Sequence, residues 1–148
     1  MGEPMTIERL ENYIKLKTEV ERYLERIARM KNDEKFPGMR EGDGSQHQPG
    51  KGDRMERAIL RRLDYQEKMA PLIQANLDEM EQVEQAVDSL MDPMHRDVLR
   101  FRYLEGENYR HKGWKDVALC LYHDNDESHV QAAYRLHREA KKALRGEL

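Results

Sequence analysis

The chain has 148 residues, of which 37% are charged and 38% hydrophobic, and its mean hydropathy is -1.02. That composition leaves little material for a large globular core and favours elongated helices with a thin buried seam. One cysteine, Cys120, excludes an internal disulfide framework and suits a reducing compartment. No apolar run approaches the roughly 20 residues a bilayer span needs, and the N-terminus lacks the apolar stretch of a signal peptide, so a cytoplasmic protein that avoids membranes is expected.

The first helix is expected from Ile7 to about Lys31, with Thr6 as its cap and no glycine or proline inside. Tyr13, Leu16, Val20, Tyr23, Ile27 and Met30 alternate steps of three and four, and Leu10, Ile14 and Leu24 widen the stripe into a coiled-coil-like seam. The next stretch, FPGMREGDGSQHQPGKG, holds five of the nine glycines and two of the five prolines. It reads as a flexible loop over 36–52, because it cannot bury enough apolar surface to offset its ordering entropy. It lacks the spacing and the GKS/T ending of a phosphate-binding loop.

A second long helix is expected from about Arg54 to Leu90. Ile59, Leu63, Ala70, Ile73, Leu77, Met80, Val83, Val87 and Leu90 keep a near-heptad spacing, and Pro71 should kink or break it at a cost of about 3 kcal/mol. Two such helices can close into an antiparallel hairpin. Each still has apolar residues outside one seam, which predicts a homodimer formed through region 1–91.

Region 92–148 reads as three short helices. Asp92 caps the first, Pro93 takes its first position, and Gly106 marks its stop. Trp114, Val117, Ala118 and Leu121 form one face of the second, running from Trp114 to Tyr122. The third, from Ser128 to Arg145, opens on Ser128 and Gln131 at capping-box spacing. Val130, Ala133, His137, Ala140 and Leu144 trace its packing stripe. The expected core of this module is Val98, Leu99, Trp114, Val117, Ala118, Leu121, Ala133 and Leu144.

Charge is unevenly spread along the chain. Arg54 to Asp92 holds five basic and nine acidic residues, whereas Pro93 to the end holds eleven basic and nine acidic ones. Much of the late basic charge lies on the last helix, where Gln131, Arg135, Arg138, Lys142 and Arg145 share a face. Local charge decides phosphate binding, because exposed interactions are screened beyond about 8 Å at physiological salt.

The segments LMDPMHRDVLRFRYLEG, WKDVALCLY and RLHREAKKAL resemble the C-terminal part of phage late-gene transcriptional regulators of the ArpU and RinA-like kind. Those regulators in turn resemble region four of bacterial sigma factors. Val98, Leu99, Arg102, Tyr103, Leu104, Gly106, Trp114, Val117, Ala118, Leu121, Arg135, Leu136, His137, Ala140 and Leu144 carry the likeness. The link over Glu107 to Gly113 and the turn HDNDE are both longer than in the family pattern, so the former reads as extra loop and the docking angle of the last helix is not carried over.

The resemblance implies an all-α protein, a long helical hairpin followed by a three-helix helix-turn-helix module, that regulates transcription by binding double-stranded DNA. In such modules the start of the second helix meets base edges and later basic residues meet phosphates. His129, Gln131, Ala132 and Arg135 are then the base-reading candidates, and Arg138, Lys142 and Arg145 the phosphate contacts.

A second reading is a phage packaging factor resembling a terminase small subunit. A third is a helical scaffold that binds a protein such as RNA polymerase and no nucleic acid. No nucleophile, general-acid pair or dinucleotide motif argues for an enzyme or a cofactor. Cys120 and His123 supply only one ligand pair where a structural zinc site brings two, so no metal is expected.

Overall fold

The computed structural model describes residues 4–35 and 51–146. Its regular structure is helical apart from one isolated bridge between Glu107 and Arg110: α1 (Ile7–Lys35), α2 (Lys51–Asp88), α3 (Pro93–Leu99), a π-helical turn (Arg100–Leu104), α4 (Trp114–Tyr122) and α5 (Glu127–Leu144). The all-α architecture with a long helical hairpin is as the sequence implies. No helix among the described residues is long and apolar enough to cross a membrane.

Helix α1 starts where Thr6 predicts, with the Arg9 amide donating to Thr6 Oγ1 at 3.2 Å. It runs to Lys35, one turn past the expected end, since nothing in MKNDEK forbids helix. Helix α2 is unbroken through Pro71. The loop expected over 36–52 lies outside the described residues, except that Lys51 and Gly52 already belong to α2.

The described residues divide into two compact units, one drawn from Met1–Thr18 and Asn76–Leu148, the other from Glu19–Ala75. In the first, Leu10, Tyr13, Val83, Val87 and Leu90 share one core with Val98, Leu99, Tyr103, Leu104, Val117 and Ala140. A boundary drawn at 91/92 would therefore pass through the middle of this core. Polar contacts tie the same helices together: Arg9 Nε donates to Glu79 at 2.8 Å, and the Tyr13 hydroxyl donates to Glu84 at 2.7 Å. In the second unit Tyr23 stacks on Tyr65 with ring centroids 5.9 Å apart, and Arg62 pairs with Glu34.

Local rules explain most of the module's ends. Asp92 caps α3, its carboxylate accepting from the Met94 amide at 2.9 Å, with Pro93 in the first turn. Gly106 follows the C-cap residue Glu105, so the helical run stops where expected, and the glycine has a second role. A Cβ there would overlap the Arg110 carbonyl oxygen, so the glycine permits a close backbone approach.

The supposed extra loop after it is an ordered hairpin turn. The Glu107 and Arg110 amides exchange bonds of 3.1 and 3.0 Å with each other's carbonyls, with Asn108 (φ 51°) and Tyr109 (φ 64°) at the tip. Helix α1 holds this turn in place. The Tyr109 amide donates to Thr18 Oγ1 at 3.0 Å, and Lys17 donates to the Gly106 carbonyl at 2.9 Å.

The capping box expected at Ser128 is replaced by a cap two residues earlier, at Asp126. Asp126 accepts from the His129 amide at 2.9 Å and from the Ser128 hydroxyl at 2.7 Å, so α5 begins at Glu127 and ends at Leu144. An ionised carboxylate is a strong acceptor for an amide at a helix N-terminus.

Candidate nucleic-acid interface

Helix α5 is set in place by its buried side. Val130 and Ala133 join Ala118 in a small cluster flanked by Trp114, Leu121, Tyr122 and Tyr134, while Ala140 reaches the main core. Val98, Leu99, Val117, Ala118 and Ala133 are fully buried, and Trp114, Leu121 and Leu144 are partly so. Trp114 is enclosed by aromatic neighbours, its ring lying 4.9 Å from Tyr134 and 4.8 Å, edge-on, from His137. The Arg102 guanidinium covers it at 4.7 Å and donates to the Lys112 carbonyl at 2.7 Å. Arg102 thus locks α4 to the turn before it.

The opposite side of α5 presents Gln131, Arg135, Arg138, Lys142 and Arg145, all exposed. Their spacing of four, three, four and three keeps them in one stripe about 21 Å long. The one acidic residue within the last four turns, Glu139, sits with its carboxylate 3.7 Å from the ring of buried His95 on α3. Its side chain stays 63% exposed, and the four cations of the stripe outnumber it.

The start of α5 has the opposite character. Asp124, Asp126 and Glu127 surround it, and Gln131 Nε2 donates to Glu127 at 2.8 Å. His129 Nδ1 lies 2.7 Å from Asp126, and its ring packs 5.5 Å from Tyr122. Of the four base-reading candidates, Gln131 and Arg135 are exposed, whereas His129 and Ala132 are half-buried. His129 is committed to closing the turn.

The sequence offered no sign that ligand atoms of Asp124, Asp126 and His129 would lie within 4.8 Å of one another. Capping accounts for the grouping. The Ser128 hydroxyl, the His129 amide and the His129 ring all bond to Asp126, and together they pull its carboxyl down to about 2. Cys120 and His123 do not join it: Cys120 Sγ lies 3.6 Å from Lys112 Nζ, and His123 is the left-handed residue that ends α4.

His137 was expected in the packing stripe and not as a perturbed group, yet its imidazole is strongly shifted. Its Nε2 lies 2.6 Å from the Tyr103 hydroxyl. Burial, then the nearby charges of Lys141, Arg102 and Arg138, depress it to about 4, so it is neutral at physiological pH. Burial also pushes the Tyr103 phenol up, which keeps this pair uncharged.

No family model matches this chain, and neither a curated protein nor a solved structure is similar enough to count as a match.

Proposed function

We propose that this protein is a sequence-specific DNA-binding transcriptional regulator whose α5 enters the major groove. The observation that carries the reading is the exposed stripe of Gln131, Arg135, Arg138, Lys142 and Arg145 on a helix whose other side is anchored. A helix of about 10–12 Å diameter fits a major groove about 12 Å wide, and evenly spaced cations along it match the phosphates lining that groove.

The carboxylates at the start of α5 refine the proposal. Phosphate repels Asp124, Asp126 and Glu127, so that end points along the groove floor, where glutamate and aspartate can accept from cytosine N4. Arg138, Lys142 and Arg145 then meet the backbone, and Gln131 and Arg135 read bases. His129 and Ala132 support the turn and the packing instead.

The resemblance to phage late-gene regulators supports the same function, as does the charge asymmetry between region 54–92 and the C-terminal module. Selection of duplexes from a random pool tests it. A preferred site should emerge. Gln131→Ala should then cost about 1 to 3 kcal/mol on that site alone, and Lys142→Ala should weaken all sequences alike. If both variants lose the same affinity on specific and random duplexes, the assigned orientation of α5 is wrong.

A further inference from the structure

Helix α2 carries two parallel stripes, and the fold uses one of them. Ala58, Arg62, Tyr65 and Met69 turn toward α1, as the Tyr65 stacking on Tyr23 and the Arg62 pairing with Glu34 demonstrate. About a quarter-turn around the helix lies a second series, Ile59, Leu63, Gln66, Ala70, Ile73 and Leu77. Its steps of four, three, four, three and four are those of a coiled-coil seam. Leu63 is 49% exposed and Leu77 41%, Ala70 is exposed, and Ile59, Gln66 and Ile73 are half-buried. Leu60, 52% exposed, flanks the same edge.

We infer that this second stripe is a homodimer seam, along which α2 pairs antiparallel with α2 of another copy about a midpoint at Lys68. The occupant follows from the order of the residues. Reversing the stripe about Lys68 sets Ile59 against Leu77, Leu63 against Ile73 and Gln66 against Ala70, so every large apolar residue meets another and the one amide meets the smallest side chain. The stripe is complementary to its own reverse, as a two-fold interface requires.

In-register parallel pairing lacks this match, since it places Gln66 against Gln66 and Ala70 against Ala70, leaving a polar layer beside an underfilled one. In the antiparallel layer the Gln66 amide stays bonded to Arg62 of its own helix at 2.8 Å. A polar residue at one seam position fixes register at some cost in stability.

The seam is about 27 Å long, which places it near the floor of about 1,000 Å² for specific interfaces and predicts a dimer that dissociates in the micromolar range. The pairing does not rest on the DNA reading, and its test uses no DNA.

Disulfide trapping on the full-length chain reads the geometry directly. In a background with Cys120→Ser, the Leu63→Cys and Ile73→Cys variants are oxidised singly and as an equimolar mixture. The mixture should give a covalent dimer, because paired layers bring Cα atoms into the 4.4–6.8 Å window of a disulfide. Leu63→Cys alone should give little, since its own copy lies about 15 Å away along the seam.

Ala70→Glu provides a second readout at an exposed position where glutamate preserves the helix. It should weaken the dimer at least about tenfold in sedimentation by leaving charges in the seam, with helix content unchanged. Efficient self-linking of Leu63→Cys, a wild-type chain that stays monomeric at high micromolar concentration, or an Ala70→Glu variant that dimerises as well as wild type would each overturn the proposal.

Discussion

The unit of Met1–Thr18 with Asn76–Leu148 and the unit of Glu19–Ala75 are made of similar material and are packed very differently. Leu10, Val83, Val87, Val98, Leu99 and Val117, the largest fully buried side chains among the described residues, all belong to the first. Among the described residues of the second, the buried apolar side chains are Val20 and Ile27, while Leu24, Leu60, Leu63 and Leu72 stay about half exposed or more. Five helical segments meeting at several angles can enclose residues completely. Two helices side by side bury only one stripe each and leave the rest exposed.

Cutting the chain between Met91 and Asp92 is the harshest way to break this contrast. The 92–148 fragment keeps α3 to α5 but loses Leu10, Tyr13, Val83, Val87 and Leu90 from their shared core. It should show no cooperative thermal transition, and a sharp melt would mean that these five residues are dispensable.

Point substitutions sharpen the same contrast. Leu99→Ala should destabilise the protein by about 2 to 5 kcal/mol in denaturant unfolding, as expected for a leucine in a closed core. Leu63→Ala should cost under about 1 kcal/mol at concentrations where the chain is monomeric, because its methyl groups are already half in water. Equal losses at the two leucines would erase the distinction between the units.

Gly106→Ala should cost about 1 to 3 kcal/mol, since the hairpin turn has to move away from the new methyl group. Asp126→Ala should lower the melting temperature by less than Gly106→Ala does, through the lost helix cap.

Acid provides a graded probe of the closed unit. His137 is depressed to about 4 in the folded protein, from an ordinary value of 6.5, so between those limits the unfolded chain binds the additional proton. The His137 contribution to stability is full above pH 6.5 and falls as pH drops toward 4. His137→Phe should flatten the melting temperature over that window, and an unchanged slope would show that His137 does not carry the effect.

How much of this was legible in the sequence varies with the range of the interaction. Thr6, Asp92 and Pro93 act on neighbours within a turn, and they mark helix starts where the structure has them. The all-α hairpin was equally readable from apolar spacing. Ser128 was misread as a cap because Asp126, two residues upstream, takes the His129 amide and starts the helix first, and the Ser128 hydroxyl donates to that carboxylate instead.

The order of the Glu107–Arg110 turn was missed for another reason. Thr18 and Lys17, which hold that turn, lie about 90 residues upstream, beyond any local pattern. His137 followed a packing periodicity that says nothing of the Tyr103 hydroxyl waiting for it. The exposure of the basic stripe was legible, whereas the engagement of His129 by Asp126 depended on a turn whose geometry no spacing rule supplies.

The most direct test of the central claim is the salt dependence of affinity for a DNA duplex. Each phosphate neutralised by a side chain adds about 0.9 to the slope of log affinity against log salt, so Arg135, Arg138, Lys142 and Arg145 can contribute at most roughly 3.6 per protomer and about 7 per dimer. Arg138→Ala should lower the dimer slope by about 2, one phosphate on each protomer. A slope that is unchanged in Arg138→Ala and Lys142→Ala, or no binding to any duplex at low salt, would contradict the assignment of α5 as the DNA-binding helix.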